Sequence, residues 1–172
     1  MRSFKAGHLA ALLGLFGSFL SVNAIGQTTC VSFKDDPSAF TVVSGNSVAP
    51  LLLSEDEWPG VQRAATDFAS DIEQVTGRTP KLSNATSSFK ASSPPIIIGT
   101  LGKSSLIDAV VNHTQLDVSS ISGQWEAFMT RMVDNPLPGV RSAYVIVGAD
   151  KRGTIFAMYD LSEQIGVSPW YW

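Results

Sequence analysis

Few residues of this 172-residue chain can do chemistry. It has two histidines and one cysteine. His8 lies in a leader-like segment, and His113 lies inside an Asn-X-Thr triplet. One remaining histidine and Cys30 cannot assemble a zinc site of the usual kind, nor a Cys/His nucleophile pair, so no metal ligands are expected. A Ser/His/Asp triad would have to use His113, and no serine sits in a nucleophile-elbow sequence. Carboxylates remain. Acid/base hydrolysis needs two, held on either side of the bond that breaks. Glu126, Asp150, Asp160 and Glu163 are available. A pair of acids is expected in any domain, however, and Asp160 and Glu163 fit the solvated face of a helix. No catalytic residue is assigned on this ground.

Two glycine-containing segments look like phosphate loops and fail the test. Gly99-Thr-Leu-Gly102-Lys103-Ser104 ends correctly, but the motif needs a glycine where Ile97 stands. Gly148 and Gly153 have the right gap, but Thr154 replaces the lysine. Both read as strand-to-helix turns, and no cofactor is expected. Asp150, Lys151 and Arg152 are the candidates for substrate contact. They follow an apolar run and precede a helical pattern, which is where ligand-contacting loops cluster in α/β sheets. The same triplet also suits a turn whose acid meets helix N–H groups while its cations are solvated.

These loops need elements to hold them. Hydrophobic content of 44% with 16% charged residues is enough for one domain with a core. Residues 30–33 and 40–43 are short strand-like runs around a turn at Asp36-Pro37, and Gly45-Asn46 marks a second turn. Residues 48–53 read as a strand for which Pro50 is an edge or a start. Val61, Ala64, Ala65, Phe68, Ala69, Ile72 and Val75 form one stripe at helical spacing. Ser54 and Glu57 have capping-box spacing before it, and Gly77 ends it.

Residues 79–82 are a weak strand, and residues 83–93 a Ser/Ala/Thr loop. Residues 96–99, apolar on both faces, suit a central strand. Ser104 caps a helix to about Asn112, with Leu106, Ile107, Val110 and Val111 inward. Residues 115–123 are a loop. Residues 124–133 alternate as a strand, and residues 134–139 connect it to a strand over residues 143–147. A last helix carries Ile155, Met158, Leu161 and Ile165, closed by Gly166. This order implies an α/β (α+β) domain: a mixed sheet with helices packed on it.

The N-terminus reads as an address. Arg2 and Lys5 precede an apolar run over residues 9–20, with Val22-Asn23-Ala24 at a peptidase-site position. The run is too short to span a bilayer, so residues 1–24 are expected to be a cleaved signal peptide and residues 25–172 the secreted domain. Sequons at Asn84 and Asn112 fit that route. The chain carries 12 basic and 15 acidic residues, and losing Arg2 and Lys5 makes it more acidic still. That disfavours nucleic acid and anionic membrane as partners. Cys30 is an unpaired thiol in a chain expected to be secreted. Trp170, Tyr171 and Trp172 form an aromatic terminus, where a free end is normally polar. They are expected to make an interdomain contact.

Several linked segments carry a resemblance. They are Trp58-Pro-Gly-Val-Gln-Arg-Ala-Ala, Asp71-Ile-Glu-Gln-Val-Thr-Gly77, Ile96-Ile-Ile-Gly-Thr-Leu-Gly-Lys-Ser104, Gly123-Gln-Trp-Glu126, Gly148-Ala-Asp-Lys-Arg-Gly-Thr-Ile155 and Tyr159-Asp-Leu-Ser-Glu-Gln-Ile-Gly-Val-Ser-Pro-Trp-Tyr-Trp172. Together these resemble the N-terminal region of glycoside hydrolase family 115, the xylan α-glucuronidases, over most of the mature chain. Ala149 stands where the family commonly has serine, and Ala157 where glycine is usual. The resemblance implies a secreted enzyme that removes (4-O-methyl)glucuronic acid from xylan, with glucuronoxylan as partner. It implies a small α/β accessory domain here and a catalytic barrel that should begin where this sequence stops. Family chemistry is inverting, with its acids in the barrel, so none is carried onto these residues. The alternative is a stand-alone secreted carbohydrate-binding or structural module.

Overall fold

The computed structural model describes residues 29–34, 36–84 and 93–168. Residues 1–24, expected to be a signal peptide, and Trp170, Tyr171 and Trp172 lie outside the described residues. Two short strands, β1 (Val43–Ser44) and β2 (Ser47–Val48), pair antiparallel around Gly45-Asn46. The other elements are β3 (Leu51–Leu53), α1 (Pro59–Thr76), β4 (Leu82–Asn84), β5 (Ile96–Thr100), α2 (Ser105–Thr114), β6 (Phe128–Leu137), β7 (Val140–Gly148) and α3 (Lys151–Gln164). Five strands form one sheet in the order β4-β3-β5-β7-β6. β4, β3, β5 and β7 run parallel, and β6 is an antiparallel edge. The molecule is thus a mixed sheet with three helices, the fold class the element order implies.

Strand alternation divides the core into two layers. Leu51, Leu53, Ile96, Ile98 and Ile146 point toward α1 and α3. Leu52, Ile97, Val145 and Val147 point the other way, toward α2 and the loop residues Leu116, Val118 and Ile121. Burial on both faces is why β3 and β5 read as unbroken apolar runs. Each fully buried Leu or Ile is worth roughly 1.5–3 kcal/mol, so this sheet centre supplies much of the stability. α1 buries Val61, Ala64, Ala65, Phe68, Ala69 and Ile72, and Gly77 closes it in the left-handed region at φ 67°. α3 ends with Gly166 N–H on Glu163 and Val167 N–H on Ser162, the paired bonds of a Schellman closure.

Several local expectations differ from the structure. Residues 30–33 form no strand; Cys30 is held instead by Gln164, whose Oε1 accepts from its N–H at 2.8 Å. The run over residues 48–53 divides into the end of β2 and β3, and of the two readings of Pro50 the start holds: it immediately precedes β3, and its carbonyl accepts from Ile96 N–H. The weak strand starts three residues later, at Leu82, as β4. Val75, in the final turn of α1, is 40% exposed, because that turn runs past the packed surface. Val111, Ile155 and Ile165 are half-buried, and Thr154, Ala157 and Ser162 join Met158 and Leu161 on the buried side of α3. β6 begins at Phe128 and persists to Leu137. A register shift between Asp134 and Leu137 absorbs Asn135 and Pro136, so a prolyl segment stays within an edge strand.

Candidate functional site at the carboxyl edge of the sheet

In an open α/β sheet, ligands settle where neighbouring parallel strands send their loops to opposite faces. Here that holds between β3 and β5 and again between β5 and β7, since α1 and α3 cover one face and α2 the other, and the chain's first such corner is the one after β3. Glu57 fills it. This side chain is 3% exposed. Its Oε2 accepts from Thr100 N–H at 2.8 Å, and its Oε1 from Trp58 N–H at 2.8 Å and the Thr100 hydroxyl at 3.1 Å. The Thr100 and Thr154 hydroxyls are hydrogen-bonded to each other at 2.8 Å, and the Thr154 hydroxyl also reaches the Asp150 carbonyl at 3.1 Å. Glu57, Thr100 and Thr154 therefore tie the ends of β3, β5 and β7 together through buried hydrogen bonds. Glu57 is not part of a capping box. α1 starts without a side-chain cap, and Ser54 turns to the Ser105 hydroxyl at 2.8 Å.

The start of α2 is similarly closed by this chain's own groups. Ser104 accepts from Ile107 N–H, and Asp56 reaches Ser105 N–H at 3.4 Å. The Ser54 hydroxyl holds the Asp56 carboxyl below the usual range, against slight burial and with help from Ser105. Gly102 N–H is taken by Asp108 at 3.0 Å, and the Lys103 ammonium sits 4.9 Å from the centre of the Trp58 ring. Gly99 serves packing: a Cβ there would meet Ser104 and Ile107 below 3 Å. Backbone donors that would cradle a phosphate are thus already engaged, in keeping with the strand-to-helix reading.

Asp150 organises the third corner. It is the N-cap of α3, with Oδ1 accepting from Gly153 N–H at 2.8 Å and Oδ2 from Glu126 N–H at 3.1 Å. Burial opposes its ionisation. The N–H groups of Gly153, Glu126 and Arg152, aided by the Arg152 charge, outweigh that and hold its carboxyl below the usual range. Glu126 stands at φ 58°, uncommon for a residue with a side chain. Gly153 allows the approach, since any Cβ there would run into the Ala127 carbonyl. The Glu126 carboxylate pairs with Arg152 at 3.0 Å, and the Arg152 guanidinium lies 5.6 Å from the Phe156 ring centre. Arg152 and Glu126 are 55% and 37% exposed, so the pair contributes at most about 1 kcal/mol.

The structure thus separates the expected triplet by role. Asp150 has both oxygens committed to backbone N–H groups. Lys151 is exposed, and Arg152 is exposed and paired with Glu126. Asp160 accepts from Gln164 at 2.7 Å, and Glu163 and His113 are exposed. Asn84 is exposed on the edge strand β4, with the rest of its sequon outside the described residues; Asn112 is exposed on the last turn of α2. Glu57, Thr100 and Thr154 were missed from sequence. The only available signal was that each follows a strand. Among the described residues, no group of three His, Cys, Asp or Glu side chains could hold a metal ion. No helix there is long and apolar enough to cross a membrane.

Comparison with solved structures now adds a name. This chain resembles a segment of a glucuronidase. The protein concerned is described as a family GH115 4-O-methyl-alpha-glucuronidase, BtGH115A, with specificity for decorated arabinogalactans. The likeness has a TM-score of 0.55 at 26% sequence identity and covers 72% of this chain. It covers 14% of that chain, so these residues correspond to a small part of a much larger molecule. No protein-family model and no curated protein matches the sequence. The fold comparison and the sequence motifs point to the same glycoside hydrolase family.

Proposed function

We propose that this chain is the N-terminal α/β accessory domain of a secreted α-glucuronidase related to glycoside hydrolase family 115. Its parent removes (4-O-methyl)glucuronic acid from a decorated polysaccharide, with glucuronoxylan the first candidate. The observation that carries the reading is the likeness, in fold and sequence together, to a segment of a 4-O-methyl-alpha-glucuronidase. The chemistry at the carboxyl edge supports an accessory role. Glu57 and Asp150 have their oxygens committed to N–H groups that fix loops. A pair of acids flanking a glycosidic bond must instead come from a barrel that follows in the parent. The uronic acid is proposed with more reach than the polysaccharide backbone, because the similar enzyme takes decorated arabinogalactans. Secretion rests on the leader at residues 1–24 and the sequons at Asn84 and Asn112.

The test compares two proteins on glucuronoxylo-oligosaccharide. One is this chain; the other is the product of the reading frame extended past Trp172. The extended product should release 4-O-methylglucuronic acid and this chain should release none. Hydrolysis by this chain alone, or an extended frame that encodes no barrel, overturns the proposal. The alternative, a stand-alone carbohydrate-binding module, has one observation in its favour: the solvent-exposed Trp125.

A further inference from the structure

Trp125 is 82% exposed, the most exposed of the large apolar side chains among the described residues. A single exposed apolar residue needs no explanation by itself. The way this one is held does. It precedes Glu126, whose positive φ is locked by the N–H bond to Asp150, and Ala127, whose carbonyl accepts from Ala149 N–H at 2.8 Å. Upstream, Gln124 N–H bonds to Ile121, and buried Ile121 anchors that loop to the core. The indole therefore stands in water on a backbone fixed from both sides. A ring presented this way costs little backbone entropy when something stacks on it, leaving only its two side-chain torsions to be ordered.

The surroundings select the kind of partner. A protein interface has a contiguous apolar centre. Trp125 instead follows a run of exposed residues, Ser122, Gly123 and Gln124, and one residue away Glu126 pairs with Arg152. Beside Arg152 is Lys151, which is exposed and makes no ion pair among the described residues. An exposed indole one residue from the Glu126–Arg152 pair, with the exposed Lys151 next to Arg152 in the chain, offers the groups that a pyranose takes. Such a sugar offers a C–H face to stack, hydroxyls on its rim and, if acidic, a carboxylate for Arg152 and Lys151.

We propose that Trp125, with Lys151 and Arg152, forms a surface site for a uronate-bearing saccharide. The site binds the polysaccharide and does no bond chemistry. Choosing uronate over another acidic sugar rests on the glucuronidase reading. The aromatic platform does not.

The experiment is calorimetric titration of the full chain with three probes: glucuronoxylo-oligosaccharide, the same oligosaccharide with its carboxyl reduced to the alcohol, and unsubstituted xylo-oligosaccharide. The acidic probe should bind best, and reduction should weaken binding severalfold. Trp125→Ala should weaken binding of all three by about tenfold, as for an aromatic anchor worth about 1.4 kcal/mol. Lys151→Gln with Arg152→Gln should abolish only the preference for the acid. A thermal melt of each variant checks folding, which these exposed positions should leave unchanged. Saturable binding that Trp125→Ala leaves intact, or no saturable binding by the wild type at millimolar probe, overturns the site. Binding that depends on Trp125 but shows no preference for the acid overturns the uronate assignment. Failure of the extended product to release glucuronic acid would overturn the glucuronidase reading and leave the Trp125 titration standing as its own result.

Discussion

At the corner between β3 and β5, a carboxyl group and two threonine hydroxyls are buried and hydrogen-bonded to one another across three strand ends. At the corner between β6 and β7, Asp150 likewise binds two backbone N–H groups, yet what surrounds it is in water: Trp125, Lys151 and the Glu126–Arg152 pair. Both corners sit on the same edge of one sheet. The first occupies the position where α/β folds usually place a ligand, and this chain has filled it with its own side chains. The second lies off that position and keeps Trp125 and Lys151 available, with Arg152 shared with Glu126. Topology locates where loops converge. Whether a site exists there depends on which donors and rings remain uncommitted.

Substitutions can break this contrast. Glu57→Ala should be the most damaging, because it strands the buried N–H of Thr100 and removes the acceptor from Trp58 and the Thr100 hydroxyl. A loss of about 3 kcal/mol in denaturant unfolding is expected; a loss below about 1 kcal/mol would mean that water replaces the carboxyl and that the corner is open after all. Asp150→Ala should cost about 1–2 kcal/mol through the lost cap and the freed Glu126 N–H. This second effect should depend on pH. Asp150 has a native pKa below its unfolded one, so its contribution is present above about pH 4 and disappears as pH falls through the native value. The stability gap between wild type and variant should therefore narrow on acidification, and a gap independent of pH would remove charge from the account. Trp125→Ala should change stability by less than about 0.5 kcal/mol. A larger drop would show that the indole packs on this domain and is not a free platform.

How legible these corners were depended on how local their determinants are. The α1 stripe and the apolar run of β5 declare themselves, because burial repeats with the period of the element. Glu57 did not, because its spacing from Ser54 also satisfies a local capping rule. Thr100, far along the chain, takes the carboxyl instead, and only the folded sheet brings the two together. Trp125 fits the alternation of a strand with Ala127 and Met129. The left-handed turn at Glu126 ends that alternation before it reaches the indole, and the cause of the turn, Asp150, lies on another element. Asp150, Lys151 and Arg152 were readable as a strand-to-helix loop. Which of them is structural and which is free was not, since the division depends on Glu126 and Gly153 meeting across the edge. Residues 134–139 show the same limit: their turn-forming composition is genuine, but a bulge in β6 accommodates it and leaves only Pro138 and Gly139 to turn.

That hairpin also imposes an order in time. β6 and β7 are joined by two residues and pair along most of their length, and hairpins of this kind close within about 1–10 μs. Every parallel pairing is slower to reach, because Leu51 must find Leu82 and Ile96, and Ile96 must find Tyr144, across long stretches of chain. On a ribosome the order of arrival is the reverse of the order of ease. Leu51, Leu52 and Leu53 emerge early and have only the short edge strand β4 to pair with until β5 follows, and β5 in turn waits for β7 to leave the exit tunnel. The most buried strand in the finished sheet is therefore the one exposed longest while the chain is being made, and it is the segment on which a holding chaperone would act.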